Sequence, residues 1–228
     1  MPGPVLLAIE TSTQRGGAAV IAADGDGPVA TVTYDGTRGH AEDLLFAVDR
    51  ALIDAGATSS DIVAIAVSVG PGSFTGIRTA VATAKGLALA RRVSIVSATT
   101  LEVLASAHPE EAGTTRVAII DAKRDEVYTC AWGADGAAIG PPLHRPIADA
   151  NAWLATLPGP LLVVGDGAAL VELPADARRH PPELPDVTLL ARIGVARLAS
   201  GLLVDASALE PLYLRPPDLK LPAGVTIG

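Results

Sequence analysis

VLLAIETSTQRGGAAVIAADG, residues 5–25, and RVAIIDAKRDEVYTCAWGADG, residues 116–136, carry the same elements in the same order. Each opens on an apolar strand ending in an acid, Glu10 or Asp121, then runs through a polar connection and a second strand to an Asp-Gly turn of the hairpin type. Glu10 precedes the Asp24-Gly25 turn by 14 residues, and Asp121 precedes the Asp135-Gly136 turn by the same 14. Order and spacing that agree together imply two related lobes.

Working outward, VATVTY reads as a third strand, and AEDLLFAVDRALIDAG as a helix whose Leu44, Leu45, Val48 and Leu52 recur at helical spacing up to Gly56. DIVAIAVSVG suits a central parallel strand, and a helix, the strand VSIVSA and the helix TLEVLASA complete the lobe. In the second half, LLVVGDGAAL reads as strand, glycine turn and helix, and TLLARIGVARLAS as a further helix. PGPLL and RRHPPELPD read as loops, and the Pro-broken RPPDLKLPAGVTIG as an extended or mobile tail. A cut through HPEEAGTT divides the chain into lobes 1–107 and 108–228. Hairpin, helix and parallel strand, begun again in a second lobe, is the α/β layout of the actin-like, sugar-kinase and Hsp70 ATPase (ASKHA) fold, with duplicated mixed sheets. That fold holds ATP between its lobes.

Composition narrows the function. A net charge of -8, with 17 basic residues against 25 acidic ones and no basic run, excludes autonomous phosphate-backbone binding. Aromatics at 3% are too few for a base-stacking platform. Cys130 is the only cysteine, which rules out an intrachain disulfide, a thiolate zinc cluster and a two-cysteine redox motif. The N-terminal segment has no basic region before its short apolar run, and no uncharged stretch approaches the ~20 residues of a membrane span. A cytoplasmic location is expected, with no membrane partner.

The motifs bear unevenly on nucleotide binding. GPGSFTGIRT, residues 70–79, lacks the Lys-Ser/Thr of a phosphate loop, and its glycines at 70, 72 and 76 are one residue too long for the dinucleotide fingerprint. What remains is a turn off a buried strand, with Ser73 and Thr75 either capping the next helix or helping its N-terminus receive an anion. Thr11 and Ser12 in the first-lobe turn, and Gly165 and Gly167 of the GDG turn, complete the candidate nucleotide or anion set. The second-lobe turn DAKRDE has no glycine, which hinders close backbone approach to phosphates; an ordinary charged hairpin tip is the alternative. His40, His108, His144 and His180 include no i, i+4 pair, and SFTG is not a serine-nucleophile elbow, so no catalytic or metal-ligating set is expected.

The helix after GPGSFTG is small or apolar nearly all round, with Lys85 its one charge between Thr79 and Ala90. Such a helix needs cover on every side. Either the Leu44–Leu52 helix supplies all of it, or the two helices present a joint apolar face to another chain.

AIETST, GHAEDLL, SVGPGSFTGIRTAVATAKGLALA, DAKRDEVY and PLYLRPPD, in this order along nearly the whole chain, resemble the TsaB (YeaZ) family. The resemblance implies a bacterial factor for threonylcarbamoyladenosine synthesis, the modification of the adenosine beside the anticodon. In that family a separate enzyme makes threonylcarbamoyl-adenylate, TsaD transfers the group to tRNA, and TsaB is a noncatalytic scaffold that pairs with TsaD and lets the small ATPase TsaE join. Its pairing surface, carried onto this chain, falls on the helices Ala41–Ala55 and Ile77–Ala90, with Leu44, Leu45, Val48, Leu52, Ile77, Arg78, Val81, Ala84 and Leu87 as the expected contacts. No intrinsic cofactor is expected beyond weak ATP or ADP binding within the complex; tRNA is reached through the complex, and the isolated chain can form a homodimer through the same helices. Glu10 departs from the Asp of many relatives. The rival readings are an autonomous ASKHA-type ATPase or small-molecule kinase and, with least support, a metallopeptidase.

Overall fold

The computed structural model describes residues 3–36, 41–108, 113–181 and 183–215. The first sheet contains β1 (Val5–Glu10), β2 (Arg15–Ala22), β3 (Ala30–Asp35), β4 (Ile62–Ser68) and β5 (Ser94–Ala98) in the order β3-β2-β1-β4-β5. The second contains β6 (Thr115–Lys123), β7 (Glu126–Trp132), β8 (Leu143–Pro146), β9 (Leu161–Val164) and β10 (Arg178–Arg179) in the order β10-β9-β6-β7-β8. In each sheet the first three strands pair antiparallel, while the fourth and fifth run parallel to the first. Mapping β6 onto β1 makes the two orders identical. The duplicated α/β architecture expected from the repeat is therefore present, and Glu10 and Asp121 occupy matching places, paired with Gly17 and Val127.

β1 is buried at every residue because both faces of its sheet are covered. Val5, Leu7 and Ile9 face α1 (Ala41–Asp54) and α2 (Phe74–Arg91), whereas Leu6 and Ala8 face α5 (Val187–Ala199). β3, at the edge, alternates between half-buried and exposed residues, as a one-sided strand must.

Sequence halves and packing units do not coincide. α3 (Thr100–Ser106), although in the first half, places Leu101, Leu104 and Ala105 against Ala118, Ile120 and Val164 of the second sheet. α5, from the second half, returns to bury Val187, Leu190 and Ala191 against Leu6, Ala64 and Ala66 of the first. The expected cut at 107/108 thus separates the two sheets but not their helices, because each sheet needs a helix from the other half to cover it. Arg197 of α5 fastens the exchange by donating to Ser97 O and pairing with Glu102 of α3 at 2.6 Å.

The chain beyond α5 stays on the first sheet. Val204 N donates to Ile95 O at 2.8 Å, Lys85 Nζ to Leu209 O at 2.9 Å and Leu212 N to Val69 O at 2.7 Å. Arg215 then reaches the β6–β7 tip, donating to Lys123 O at 3.1 Å and pairing with Glu126. Of the expected extended or mobile tail, residues 215–228, Arg215 is described; residues 216–228 lie outside the described residues. Two further differences concern the second lobe. β8 and α4 (Ile147–Leu154) have no counterpart in the sequence reading, and GDGAAL forms only a short 3-10 turn, Asp166–Leu170, because Pro174 disfavours continued helix just beyond it.

Candidate functional site

The two candidate sites meet different fates, beginning with the nucleotide set. Thr11 and Ser12 follow β1 directly and are both buried. Thr11 Oγ1 donates to Gly76 O at 2.7 Å, and Ser73 N donates to Ser12 O at 2.7 Å, so the first-lobe turn and the GPGSFTG loop close on one another. Ser73 caps α2 by accepting from Gly76 N at 3.3 Å, which is the capping alternative. Thr75 is exposed on the first turn of that helix. Glu10 is sealed beneath, with Oε1 accepting from Ser12 N at 2.5 Å and Oε2 lacking a hydrogen-bond partner among the described residues. Burial pushes its carboxyl above the ordinary carboxylate range, against the pull of the Ser12 amide.

Gly165 and Gly167 stand apart from this group, against β6. A Cβ at Gly165 would come within 2.3 Å of Ile119 O, and one at Gly167 within 2.9 Å of Asp121 N. Their smallness serves strand contact rather than an adenosine. Between them Asp166 accepts from Asp121 N at 3.0 Å and borders a cleft of about 610 Å³ between the sheets, lined also by Gln14, Arg15, Leu104, Glu183 and Asp186. One arginine faces three carboxylates there, a poor field for a polyphosphate. The second-lobe tip adopts left-handed backbone at Lys123, Arg124 and Asp125 without any glycine. That conformation, disfavoured on sequence grounds, is held by Arg215 on Lys123 O and by Ile147 N on Asp125 O.

The helix set divides by face. Leu44, Val48, Leu52, Ile77, Val81 and Ala84 all point into the core beneath α1 and α2, and Leu87 is half-buried. Of the expected contacts, only Leu45 and Arg78 are exposed. A regular apolar stripe marks the side of a helix that seeks its own sheet, so selecting by periodicity selects the inward face. The outward side carries Leu45, the one residue of the periodic α1 set that is exposed, and residues off that set: Phe46 and Ile53 on α1, and Phe74 and Leu89 on α2, with Phe46 and Leu89 each 71% exposed. Arg78 stacks over the Phe74 ring at 5.1 Å, and Tyr213 packs on the same ring at 5.3 Å. Because α1 and α2 cover one face of one sheet, their outward sides lie on one side of the molecule. The signal that sequence reading passed over was an apolar residue where the helical period calls for a polar one.

Histidines far apart in sequence meet in the fold. His108 follows α3, His180 follows β10, and the fold brings both to Glu183. His40 lies outside the described residues. No helix among the described residues is long and apolar enough to cross a membrane.

Comparison with known proteins bears on the family and the fold. Residues 31–152 match the family model described as TsaD: tRNA N6-adenosine threonylcarbamoyltransferase. The chain is 31% identical over 223 residues, covering 92% of itself and 94% of the relative, to the tRNA threonylcarbamoyladenosine biosynthesis protein TsaB of Escherichia coli strain K12. It is 33% identical over 192 residues, 83% of this chain and 81% of the relative, to an uncharacterized protein of Mycobacterium tuberculosis. The solved structure of YeaZ from Pseudomonas aeruginosa superposes with a TM-score of 0.78 at 29% identity, covering 92% of this chain and 100% of that one. The TsaD match spans part of the chain and the TsaB likeness nearly all of it; with the duplicated sheets, this places the chain in the TsaB (YeaZ) family of tRNA threonylcarbamoyladenosine biosynthesis proteins.

Proposed function

We propose that this chain is a noncatalytic scaffold subunit of the bacterial threonylcarbamoyladenosine-synthesising assembly. It pairs with TsaD through the outward side of α1 and α2, allows TsaE to join, and so supports transfer of the threonylcarbamoyl group to the adenosine beside the anticodon. The observation that carries this reading is the set of large apolar side chains left exposed along those two helices, Leu45, Phe46, Ile53, Phe74 and Leu89. Exposed apolar surface of this kind marks an interaction site on an otherwise well-packed protein. Its aromatic members and Arg78 are the residue types that anchor interfaces.

Sealing of Thr11, Ser12 and Glu10 supports a noncatalytic role, since the turn that meets phosphates in an ASKHA enzyme is closed in this chain. No intrinsic cofactor enters the proposal; ATP or ADP binds weakly, and within the assembly. The acidic surface supports tRNA contact through the partner rather than by this subunit. In isolation the same side closes on a second copy, and the assembly works in the cytoplasm.

Reconstitution tests the proposal. The isolated chain should transfer no threonylcarbamoyl group to tRNA, and transfer should appear when TsaD, TsaE and threonylcarbamoyl-adenylate are added. Phe46→Asp with Leu45→Ser should lose co-purification with TsaD and the transfer that depends on it. Turnover of Mg-ATP by the chain alone would refute the scaffold reading in favour of an autonomous ATPase or kinase.

A further inference from the structure

We infer that His108, His180 and Glu183 form a binding site for a divalent transition-metal cation, zinc being the best match, on the rim of the cleft between the two sheets. One ligand atom from each of the three lies within 4.8 Å of the others, and all three residues are half-buried. His108 Nε2 donates to Glu183 Oε1 at 2.7 Å, His180 Nδ1 lies 3.7 Å from the same oxygen, and the two imidazole rings are 4.2 Å apart at their centroids. Ligand atoms around a tetrahedral zinc with bonds of about 2.0–2.1 Å stand roughly 3.3 Å apart. Changes of about an ångström, within the reach of side-chain rotation, convert one arrangement into the other.

The donors select the cation. Two imidazole nitrogens and one carboxylate suit zinc and its neighbours, whereas magnesium and calcium take oxygen ligands almost exclusively. Three protein ligands leave a fourth position for water.

The backbone around the site is already fixed. Arg116 Nη1 donates to His108 O at 3.0 Å, and His180 N donates to Val163 O at 2.9 Å, tying both histidines to the second sheet. The segment that carries Glu183 is held from the first sheet, where Arg15 Nη2 donates to Leu184 O at 3.3 Å and Pro185 O at 3.2 Å. A cation here therefore ties the loop after α3, through His108, to the segment between β10 and α5, through His180 and Glu183. Its effect is to clamp the sheets across the cleft. His108 and His180 are 72 positions apart in sequence, so no ligand-spacing motif announces the site.

The test is calorimetry of zinc chloride into the untagged full-length chain, followed by diethyl pyrocarbonate footprinting with and without zinc. One cation should bind per chain, and His108→Ala, His180→Ala and Glu183→Gln should each weaken binding by more than about 10-fold. Zinc should raise Tm, and a chelator should reverse the rise. Footprinting on the unaltered chain keeps the outcome readable should a variant fail to fold: zinc should protect His108 and His180 and leave His144 reactive. Absence of saturable binding, or protection of His40 or His144 in place of His108 and His180, overturns the assignment.

Discussion

Two arginine substitutions, five residues apart on α2, should have opposite effects. Ala84 is 0% exposed and faces the sheet, while Leu89 is 71% exposed on the far side of the same helix. Ala84→Arg forces a long side chain into a filled core, at about 1–3 kcal/mol for overpacking. It also leaves a buried charge without a partner, a fault of roughly 3–5 kcal/mol. Together these approach the whole ~5–15 kcal/mol stability of an ordinary domain, so the variant should unfold or melt far below the parent. Leu89→Arg touches nothing buried and should stay within about 0.5 kcal/mol of the parent. Its effect belongs to docking. Full burial of a leucine is worth about 1.5–3 kcal/mol, and the uncovered share of Leu89 would forfeit roughly 1–2 kcal/mol of that, or about 5- to 30-fold in affinity, before the cost of desolvating the arginine. Scanning fluorimetry gives Tm, and biolayer interferometry against immobilised TsaD gives Kd. Unchanged TsaD affinity in Leu89→Arg, with its fold intact, would refute α2 as a docking element, and a normally folded Ala84→Arg would refute the inward orientation of the stripe.

Gly165→Ala should destabilise by about 2–5 kcal/mol, since a Cβ there collides with Ile119 O and φ is +94°, a region almost confined to glycine; urea unfolding checks this, and a shift under about 1 kcal/mol would show that β6 gives way. Glu10 keeps its proton in the folded protein at pH values where the unfolded chain has lost it, above about 4.5. Its contribution is therefore complete below that pH and falls as pH rises towards the folded pKa, by at most about 1.4 kcal/mol per pH unit. Glu10→Gln should gain on the parent in stability from pH 4.5 to 8, and parallel urea-derived curves for the two proteins would contradict the buried, protonated state. Burial pushes the Cys130 thiol up to about 11 from 9.0, which cuts its thiolate fraction near neutral pH about 100-fold, so native protein should resist iodoacetamide at a rate where urea-unfolded protein is labelled.

The sheets were legible in the sequence because their signal is local and repeated. Acid, hairpin and Asp-Gly turn recur at fixed spacing, and β1 and β4 are apolar up to their last residues, Glu10 and Ser68, because both sides of their sheet are largely covered. β10, with only Arg178 and Arg179, is too short to show any period. The exposed side of α1 and α2 was less legible for a related reason: periodicity finds the residues a helix hides from water, and Phe46, Ile53 and Leu89 lie off the period. Distance along the chain obscured the rest. Sealing of Thr11 depends on Gly76, and the histidine pair depends on two loops far apart in sequence.

Exchange of α3 and α5 between the sheets also sets an order for biogenesis. A nascent chain that has released its first 107 residues from the ribosome holds all five strands of the front sheet, yet Leu6, Ala64 and Ala66 still have no lid. That lid, α5, is made about ninety residues later. The front half can therefore close that greasy flank only when the back half has been translated.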